Sequence, residues 1–379
     1  MKIAFIRYRY DPFGGAERFT QALIHSLAER GAEVHVFARR WKEPVDPQVR
    51  FHRVGGPSRP SLVGHASFLL LAGRAVREGN FDLIQSNERT LCQHVYRAGD
   101  GVHARWLELR ARHRGWLGRF STIVNPFHLY RLWVERLLFE QPDLRAVVVN
   151  SEMVRGEILS RFAISADRIH TIYNGVDLER FHPANRLSVG ADLRLRCGLS
   201  DDVPVVLFVG SGFERKGLEQ LLHAMALAGG NARLWVVGKG KVNRYRRIAE
   251  RLAIAEQTVF WGPQGDVAPF YAAADIFALP TLYDPFPTVV LEAMASGLPV
   301  VTTAQCGAAE IVSRGENGFV VAYPEKTSEM AGHLAHLYQA DHRHAMSIKA
   351  RKRAEQFPLA RTIRELELLY DQILAERRP

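Results

Sequence analysis

Residues 282–297 read Leu282-Tyr283-Asp284-Pro285-Phe286-Pro287-Thr288-Val289-Val290-Leu291-Glu292-Ala293-Met294-Ala295-Ser296-Gly297. Two carboxylates, Asp284 and Glu292, stand eight positions apart across a loop-to-helix junction. Pro287 falls where a helix would take its first residue, because proline has no N–H to waste there and its φ is already helical. The next backbone donors, on Thr288 and Val289, then point out of the helix end, which is a ready site for phosphate. One acid before the helix, beside Phe286, and one inside it can hold hydroxyls on either side of that phosphate. A sugar on one side and a ribose on the other describe a nucleotide-sugar. A capped amphipathic helix with surface acids remains the plainer account of this stretch taken alone.

Working outward, the stretch lies between apolar runs at Ile276–Pro280 and Pro299–Thr303, which is strand–helix–strand order. Upstream, Val203–Gly210 is a strand, Gly217–Ala228 a helix, Arg233–Gly238 a strand, Val242–Ala253 a helix and Val259–Gly262 a strand. The first half runs likewise: strand Lys2–Tyr8, helix Ala16–Arg30, strands Glu33–Ala38, Val49–Val54, Asp82–Ser86 and Ala146–Val149, then helix Ser151–Phe162 capped by Ser151. Alternating strands and helices predict parallel sheets. The alternation restarts after a turn-rich join near residues 174–200, so two consecutive doubly wound α/β units are expected.

A chain of 379 residues suits two domains, and 47% apolar with 24% charged residues is a soluble globular composition. No apolar run approaches the roughly 18–20 residues that span a bilayer, and Met1–Tyr8 reads as a first strand rather than a leader. Cys92, Cys197 and Cys306 are sparse and form no C-x-x-C, which points to a reducing compartment, the cytosol, and away from structural zinc. The net charge of +10 allows nucleic acid, an anionic membrane face or anionic substrates without choosing among them.

Two further loops can carry chemistry. Asp11-Pro12-Phe13-Gly14-Gly15 follows the first strand, and a Gly–Gly pair there lets backbone approach a ligand. It lacks the full G-x-G-x-x-G fingerprint, and Arg39-Arg40 stands where a ribose-binding acid would follow the second strand, so no dinucleotide site is expected. Gly210-Ser211-Gly212-Phe213-Glu214-Arg215-Lys216-Gly217 puts two cations at the start of the next helix, a site for a diphosphate. Basic residues at a helix N-terminus oppose its dipole, so they call for a reason. There is no D-x-D triplet, H-E-x-x-H or G-x-S-x-G elbow, and neither a bound metal nor a cofactor is expected.

Residues 103–139 form a composition of their own. Seven arginines (105, 110, 112, 114, 119, 131, 136) face two acids, Glu108 and Glu135, with Trp106, Trp116, Phe120, Phe127, Tyr130 and Trp133 interleaved. Basic residues beside large aromatics suit an interfacial helix on anionic lipid, which would use Arg105, Trp106, Arg110, Arg112, Arg114, Trp116 and Arg119. Single-stranded nucleic acid is a weaker reading. An amphipathic insertion packed on its own domain is the bland one.

Taken in order, Gly14-Gly15, Asn174-Gly175-Val176-Asp177, Arg215-Lys216 and Asp284…Glu292 resemble the family-4 retaining glycosyltransferases of GT-B fold, over nearly the whole chain. The resemblance implies two Rossmann-like domains facing across a cleft. They would be an acceptor-binding domain at 1–174 carrying the 103–139 insertion, a nucleotide-sugar domain at 175–358, and a last helix, 359–379, returning to the first. It implies that Glu292 holds the ribose and Asp284 the sugar hydroxyls, that Arg215 and Lys216 neutralise the diphosphate, and that Gly14-Gly15 closes over it. Phe286, Thr288 and Val289 complete the donor site. Asp100 falls at an active-site acid near the acceptor, with His103 as the neighbouring alternative. The expected reaction is metal-independent retaining transfer of a hexose, glucose from UDP-glucose, to a membrane-associated glycolipid such as lipopolysaccharide inner-core heptose, at the inner face of the cytoplasmic membrane. The partners are then a nucleotide-sugar, a glycolipid and an anionic membrane surface, with no nucleic acid. The family's usual acid pair is E-x7-E with a glycine before the helix; here Asp284 and Pro287 depart from both, which leaves UDP-galactose, UDP-N-acetylglucosamine and GDP-mannose as other donors. A nucleotide-sugar 2-epimerase shares the architecture and is the rival reading.

Overall fold

The computed structural model describes residues 1–10, 15–41, 49–123 and 125–376; the side chains of residues 10, 15–18, 41 and 114–123 are not described. The chain divides into two compact units, Met1–Tyr173 with Ala360–Pro379, and Asn174–Leu359.

The first unit holds β1 (Lys2–Tyr10), β2 (Glu33–Trp41), β3 (Val49–Arg53), β4 (Leu83–Ser86), β5 (Val95–Arg97), β6 (Ala146–Val149) and β7 (Ile169–Thr171), with helices α1 (Gly15–Glu29), α2 (Ser61–Arg77), α3 (His103–Ile123), α4 (Pro126–Glu140) and α5 (Glu152–Leu159). Its seven strands lie in the order β3-β2-β1-β4-β5-β6-β7, and every pairing is parallel. The second unit holds α6 (Val189–Arg196), β8 (Val205–Val209), α7 (Leu218–Ala228), β9 (Arg233–Val237), α8 (Val242–Arg251), β10 (Thr258–Gly262), α9 (Ala268–Ala273), β11 (Ile276–Leu279), α10 (Thr288–Ala295), β12 (Val300–Thr303), β13 (Gly318–Val321), α11 (Thr327–Tyr338) and α12 (Ala340–Ala354). Its six strands lie in the order β10-β9-β8-β11-β12-β13, again all parallel.

The sequence explains the layers. β8 and β11 are continuous apolar runs with every residue buried, as strands covered by helices on both faces must be. α8 has the opposite character: Tyr245, Ile248 and Ala249 form its buried stripe, while Arg244 and Arg246 lie outside it. Ser151 caps α5 by accepting from the Val154 amide at 3.3 Å. The last helix, α13 (Leu359–Ala375), packs within the first unit. Tyr370 is fully buried there and donates to Gln85, Ser26 donates to Glu367 at 2.8 Å, and Arg30 pairs with Glu367 at 2.8 Å. Among the described residues no helix is long and apolar enough to cross a membrane.

Strand order reverses between β1 and β4 in the first sheet and between β8 and β11 in the second. Crossovers leave such a point in opposite directions, which opens a crevice at the strands' carboxyl ends where α/β proteins bind ligands. Arg215 and Lys216 follow β8, and Asp284 follows β11.

Candidate active site

In the second unit the loops after β8 and β11 are tied together. The Arg215 carbonyl accepts from the Leu282 amide at 2.8 Å and from the Thr281 hydroxyl at 2.9 Å. The Arg215 guanidinium reaches the Tyr283 carbonyl at 2.9 Å and Asp284 Oδ2 at 2.8 Å. Lys216 Nζ donates to the same Oδ2. Lys216 and Asp284 are both buried, whereas the Arg215 side chain is about one-third exposed. Burial alone would raise the Asp284 carboxyl, but the Lys216 ammonium and the Arg215 guanidinium outweigh it and hold the pKa below the usual carboxylate range. Asp284 Oδ1 has no partner among the described residues, so one oxygen remains to accept a ligand hydroxyl.

Two expectations are corrected here. Arg215 and Lys216 do not begin the helix; α7 starts at Leu218, after Gly217 has turned the chain through left-handed φ 77°. Asp284 compensates their charge, which removes the conflict with the α7 dipole. Pro287 is the cap of α10 rather than its first residue, because its ψ of 122° is still extended. Its carbonyl accepts from the Val290 amide at 3.1 Å, and Thr288 and Val289 lead the helix. Their amides find no acceptor among the described residues, so the bare donors remain.

Glu292 faces inward from α10, 5% exposed, and accepts from the Tyr271 hydroxyl at 3.0 Å. Tyr271 also reaches the Val289 carbonyl at 3.3 Å, which fixes the first turn of α10 and its acid together. Nothing in the sequence singles out this tyrosine, since it lies in the short apolar helix α9. Buried Phe286 offers its carbonyl to the Asn174 side-chain amide at 2.8 Å, so the Asn174 motif braces the loop before α10. The second unit thus assembles Arg215, Lys216, Asp284, Phe286, Thr288, Val289 and Glu292 on two neighbouring loops and one helix.

In the first unit, Gly15 begins α1, and Gly14 lies outside the described residues. Asp100 is exposed in the turn between β5 and α3. His103, the first residue of α3, is buried; its Nε2 lies 3.1 Å from His128 Nδ1. Burial, then Arg89 and Arg131, push its pKa down to about 3, so the imidazole is neutral at pH 7. Its amide donates to Glu135 at 2.8 Å. Glu135 also accepts from Ala104 at 3.3 Å and pairs with Arg89 at 3.0 Å. This acid of the basic segment is therefore the buried cap of α3, not a surface charge. Glu88, two residues past β4, accepts from the Tyr8 amide at 3.0 Å. Burial and the Asp100 charge raise its pKa above the usual range. Sequence reading passes over Glu88, because a lone acid after a short strand carries no pattern.

The basic segment forms α3 and α4. Arg105 pairs with Glu108 at 3.2 Å and Glu157 at 3.5 Å, Trp106 is half-buried, and Arg110 reaches His128 at 3.3 Å, so these three pack partly on their own unit. Arg112 is exposed, and the side chains of Arg114, Trp116 and Arg119 lie outside the described residues. Leu129 and Trp133 on α4 are exposed, as are Leu70 and Leu71 on α2.

Two parallel-sheet Rossmann-like units, with acid, cations and a helix end gathered at a switch point, define a glycosyltransferase of GT-B architecture. The chain belongs to glycosyltransferase family 4: residues 13–180 match the model described as Glycosyltransferase Family 4, and residues 194–353 match Glycosyl transferases group 1. It is 26% identical over 328 residues to the lipopolysaccharide glucosyltransferase WaaG of Escherichia coli, covering 86% of each chain. It is 28% identical over 368 residues to D-inositol 3-phosphate glycosyltransferase 2 of Catenulispora acidiphila, covering 87% of this chain and 83% of the relative. The crystal structure of WaaG, a glycosyltransferase involved in lipopolysaccharide biosynthesis, superposes with a TM-score of 0.85 at 25% identity, covering 98% of this chain and 99% of that one. Anabaena Alr3699/HepE, solved with UDP and glucose, shares the fold at a TM-score of 0.72 and 21% identity, covering 98% of this chain and 99% of that one.

Proposed function

We propose that this glycosyltransferase moves glucose from UDP-glucose to a membrane-associated glycolipid, such as lipopolysaccharide inner-core heptose, with retention of anomeric configuration and without a metal. The observation that carries the reading is the shared grip of Arg215 and Lys216 on Asp284, beside the bare donors of α10. Similarity to WaaG along most of both chains supports the sugar and the acceptor class.

A nucleoside diphosphate leaves poorly, because charge develops on its oxygen as the bond to the sugar's anomeric carbon breaks. Pre-placed cations and helix N–H groups oppose that charge without reorganising. Arg215 and Lys216 would turn toward the diphosphate, relieved of part of their hold on Asp284. Asp284 would then offer its carboxylate to the sugar hydroxyls, and Glu292 would offer its own to the ribose. Same-face attack through a short-lived oxocarbenium-like ion pair gives retention, the departing phosphate oxygen taking the acceptor's proton.

The test is a panel of radiolabelled nucleotide-sugars assayed with purified protein against truncated lipopolysaccharide acceptors, with and without EDTA. Acceptor-dependent UDP release from UDP-glucose, unaffected by EDTA, is expected. Isomerised sugar without any acceptor dependence would establish the 2-epimerase instead. Glu292→Gln should weaken UDP binding roughly tenfold by calorimetry, since it removes a charged acceptor for two hydroxyls. Unchanged affinity would reject the ribose role.

The enzyme would work at the inner face of the cytoplasmic membrane. Arg112, Arg114 and Arg119 would meet anionic lipid, with Trp133 and Leu129 entering the interface. Replacing Arg110, Arg112 and Arg114 by Gln should lower binding to phosphatidylglycerol vesicles several-fold in sedimentation assays, and salt should do the same to the wild type. Binding indifferent to both would leave 103–139 as a packing insertion.

A further inference from the structure

α10 is eight residues long, yet it carries both the bare amides of Thr288 and Val289 and the inward acid Glu292. A helix of two turns has little stability of its own, so whatever fixes its ends also fixes those groups. At its C-terminal end the Glu292, Ala293 and Met294 carbonyls accept from the amides of Ser296, Leu298 and Gly297 at 3.1, 2.9 and 3.0 Å. Ala295, the last residue, offers its carbonyl to the Arg351 guanidinium at 2.8 Å. Arg351 stands in the last turn of α12 and is largely buried. The same Nη1 reaches the carbonyls of Leu178 at 3.1 Å and Phe181 at 2.9 Å, and Nε donates to Glu355 at 2.8 Å.

Leu178 and Phe181 belong to a turn organised by Asp177, which accepts from the Glu179 and Arg180 amides at 3.1 and 3.0 Å. The Phe181 ring meets the Tyr271 ring edge-on at 5.5 Å between centroids, and the Tyr271 hydroxyl is bonded to Glu292. Arg351 therefore reaches Glu292 by two routes, one through the end of α10 and one through Phe181 and Tyr271. The start of the same segment, Asn174, braces the loop before α10.

We propose that Arg351 is a positioning residue for the donor's ribose, acting through Glu292 and not by touching the nucleotide. A cation on the last carbonyl of a helix complements the dipole whose other end faces the phosphate. A hydrogen bond weakens steeply once its angle is lost, so a carboxylate that drifts with its helix gives up much of its hold on a hydroxyl. The role rests on the reading of Glu292 as the ribose acid.

Calorimetry of UDP beside its dideoxyribose analogue, which lacks both ribose hydroxyls, reads that role. The wild type should bind UDP roughly tenfold more tightly than the analogue, and Glu292→Gln should lose most of that ratio. Arg351→Gln should shrink it to about two- or threefold, weakening UDP while the analogue's affinity moves by less than about twofold. A residue that only holds the fold would weaken both nucleotides alike, so an intact ratio in Arg351→Gln overturns the proposal. Arg351→Lys keeps the charge without the planar fork and should fall between wild type and Arg351→Gln. If it alone accumulates as folded protein, a wild-type ratio in it is equally fatal. Placed in the Glu292→Gln background, Arg351→Gln should add less than about twofold to the UDP dissociation constant, because the acid it positions is gone. Fully additive losses would show that Arg351 acts on the nucleotide by another route. A wild-type ratio in Glu292→Gln would remove the ribose reading itself, whereas its loss there but not in Arg351→Gln would remove only the positioning role.

Discussion

Lys216→Ala is expected to cut turnover about a hundredfold and to loosen the second unit at the same time. The catalytic part follows from the leaving group: removal of one pre-placed charge from a developing oxyanion costs on the order of 3 kcal/mol. The structural part follows from where the ammonium sits. Lys216 and Asp284 are both buried, so truncation leaves the carboxylate with Arg215 alone. Breaking a buried pair costs about 3–5 kcal/mol, and the low end applies here because Arg215 still binds Asp284 Oδ2. Lys216→Met separates the two effects, since it keeps the stem that runs past Gly210 and removes only the charge. Rapid-quench measurement of kcat at saturating donor, beside thermal unfolding of each variant, makes the check. Near-normal turnover in Lys216→Met would reject the diphosphate role, whatever its melting temperature.

Acid should act on the same pair in a defined direction. A carboxyl whose folded pKa is depressed contributes stability that is present above its unfolded value and is lost as pH falls through the folded one. The Asp284 contribution is therefore intact at neutral pH and disappears only in strong acid.

The doubly wound class was legible because parallel strands are buried on both faces and read as unbroken apolar runs; Val205–Val209 and Ile276–Leu279 are such runs. β5 and β7 were not, since three residues each carry no period. α2 was missed because its exposed face holds Leu70 and Leu71, which blurs the amphipathic contrast. Asp284, Glu292, Arg215 and Lys216 could be picked out by local spacing. Their partnership could not, because Lys216 and Asp284 are 68 positions apart and meet through strand order. The role of Glu135 was not legible for a related reason: it caps α3 from a neighbouring helix, and a helix-surface acid and a buried cap look alike in sequence. Arg39 stood in the sequence as the reason against a ribose site, and the structure gives it a task of its own, binding the carbonyls around 55–64.

Gly217→Ala should be among the most destabilising single-methyl changes in the second unit, and it should disable the site without touching a charged group. Gly217 has φ 77°, where an L side chain is strained by roughly 1–2 kcal/mol. A Cβ there would lie 1.8 Å from the Pro280 carbonyl oxygen, far inside contact distance. The oxygen is backbone and the Cβ position is fixed by the backbone, so no rotamer change relieves the clash, and the loop after β8 must move away from β11. That loop carries Arg215 and Lys216, and its hydrogen bonds to Leu282 and Thr281 hold it against the segment leading to Asp284. Moving it stretches the ion pairs of Arg215 and Lys216 with Asp284, on which the proposed diphosphate site depends, so the loss of activity would come through geometry. We expect a loss of at least about 3 kcal/mol, or failure to accumulate folded protein, with turnover down by more than tenfold in any material that does fold. Equilibrium denaturation of Gly217→Ala beside Gly315→Ala makes the comparison. Gly315 has φ 75° with open space around its Cβ position, so it reports the strain of the backbone alone. Equal losses in the two variants would show that the close approach to Pro280 contributes nothing, and the rigid coupling of Lys216 to Asp284 through this turn would have to be abandoned.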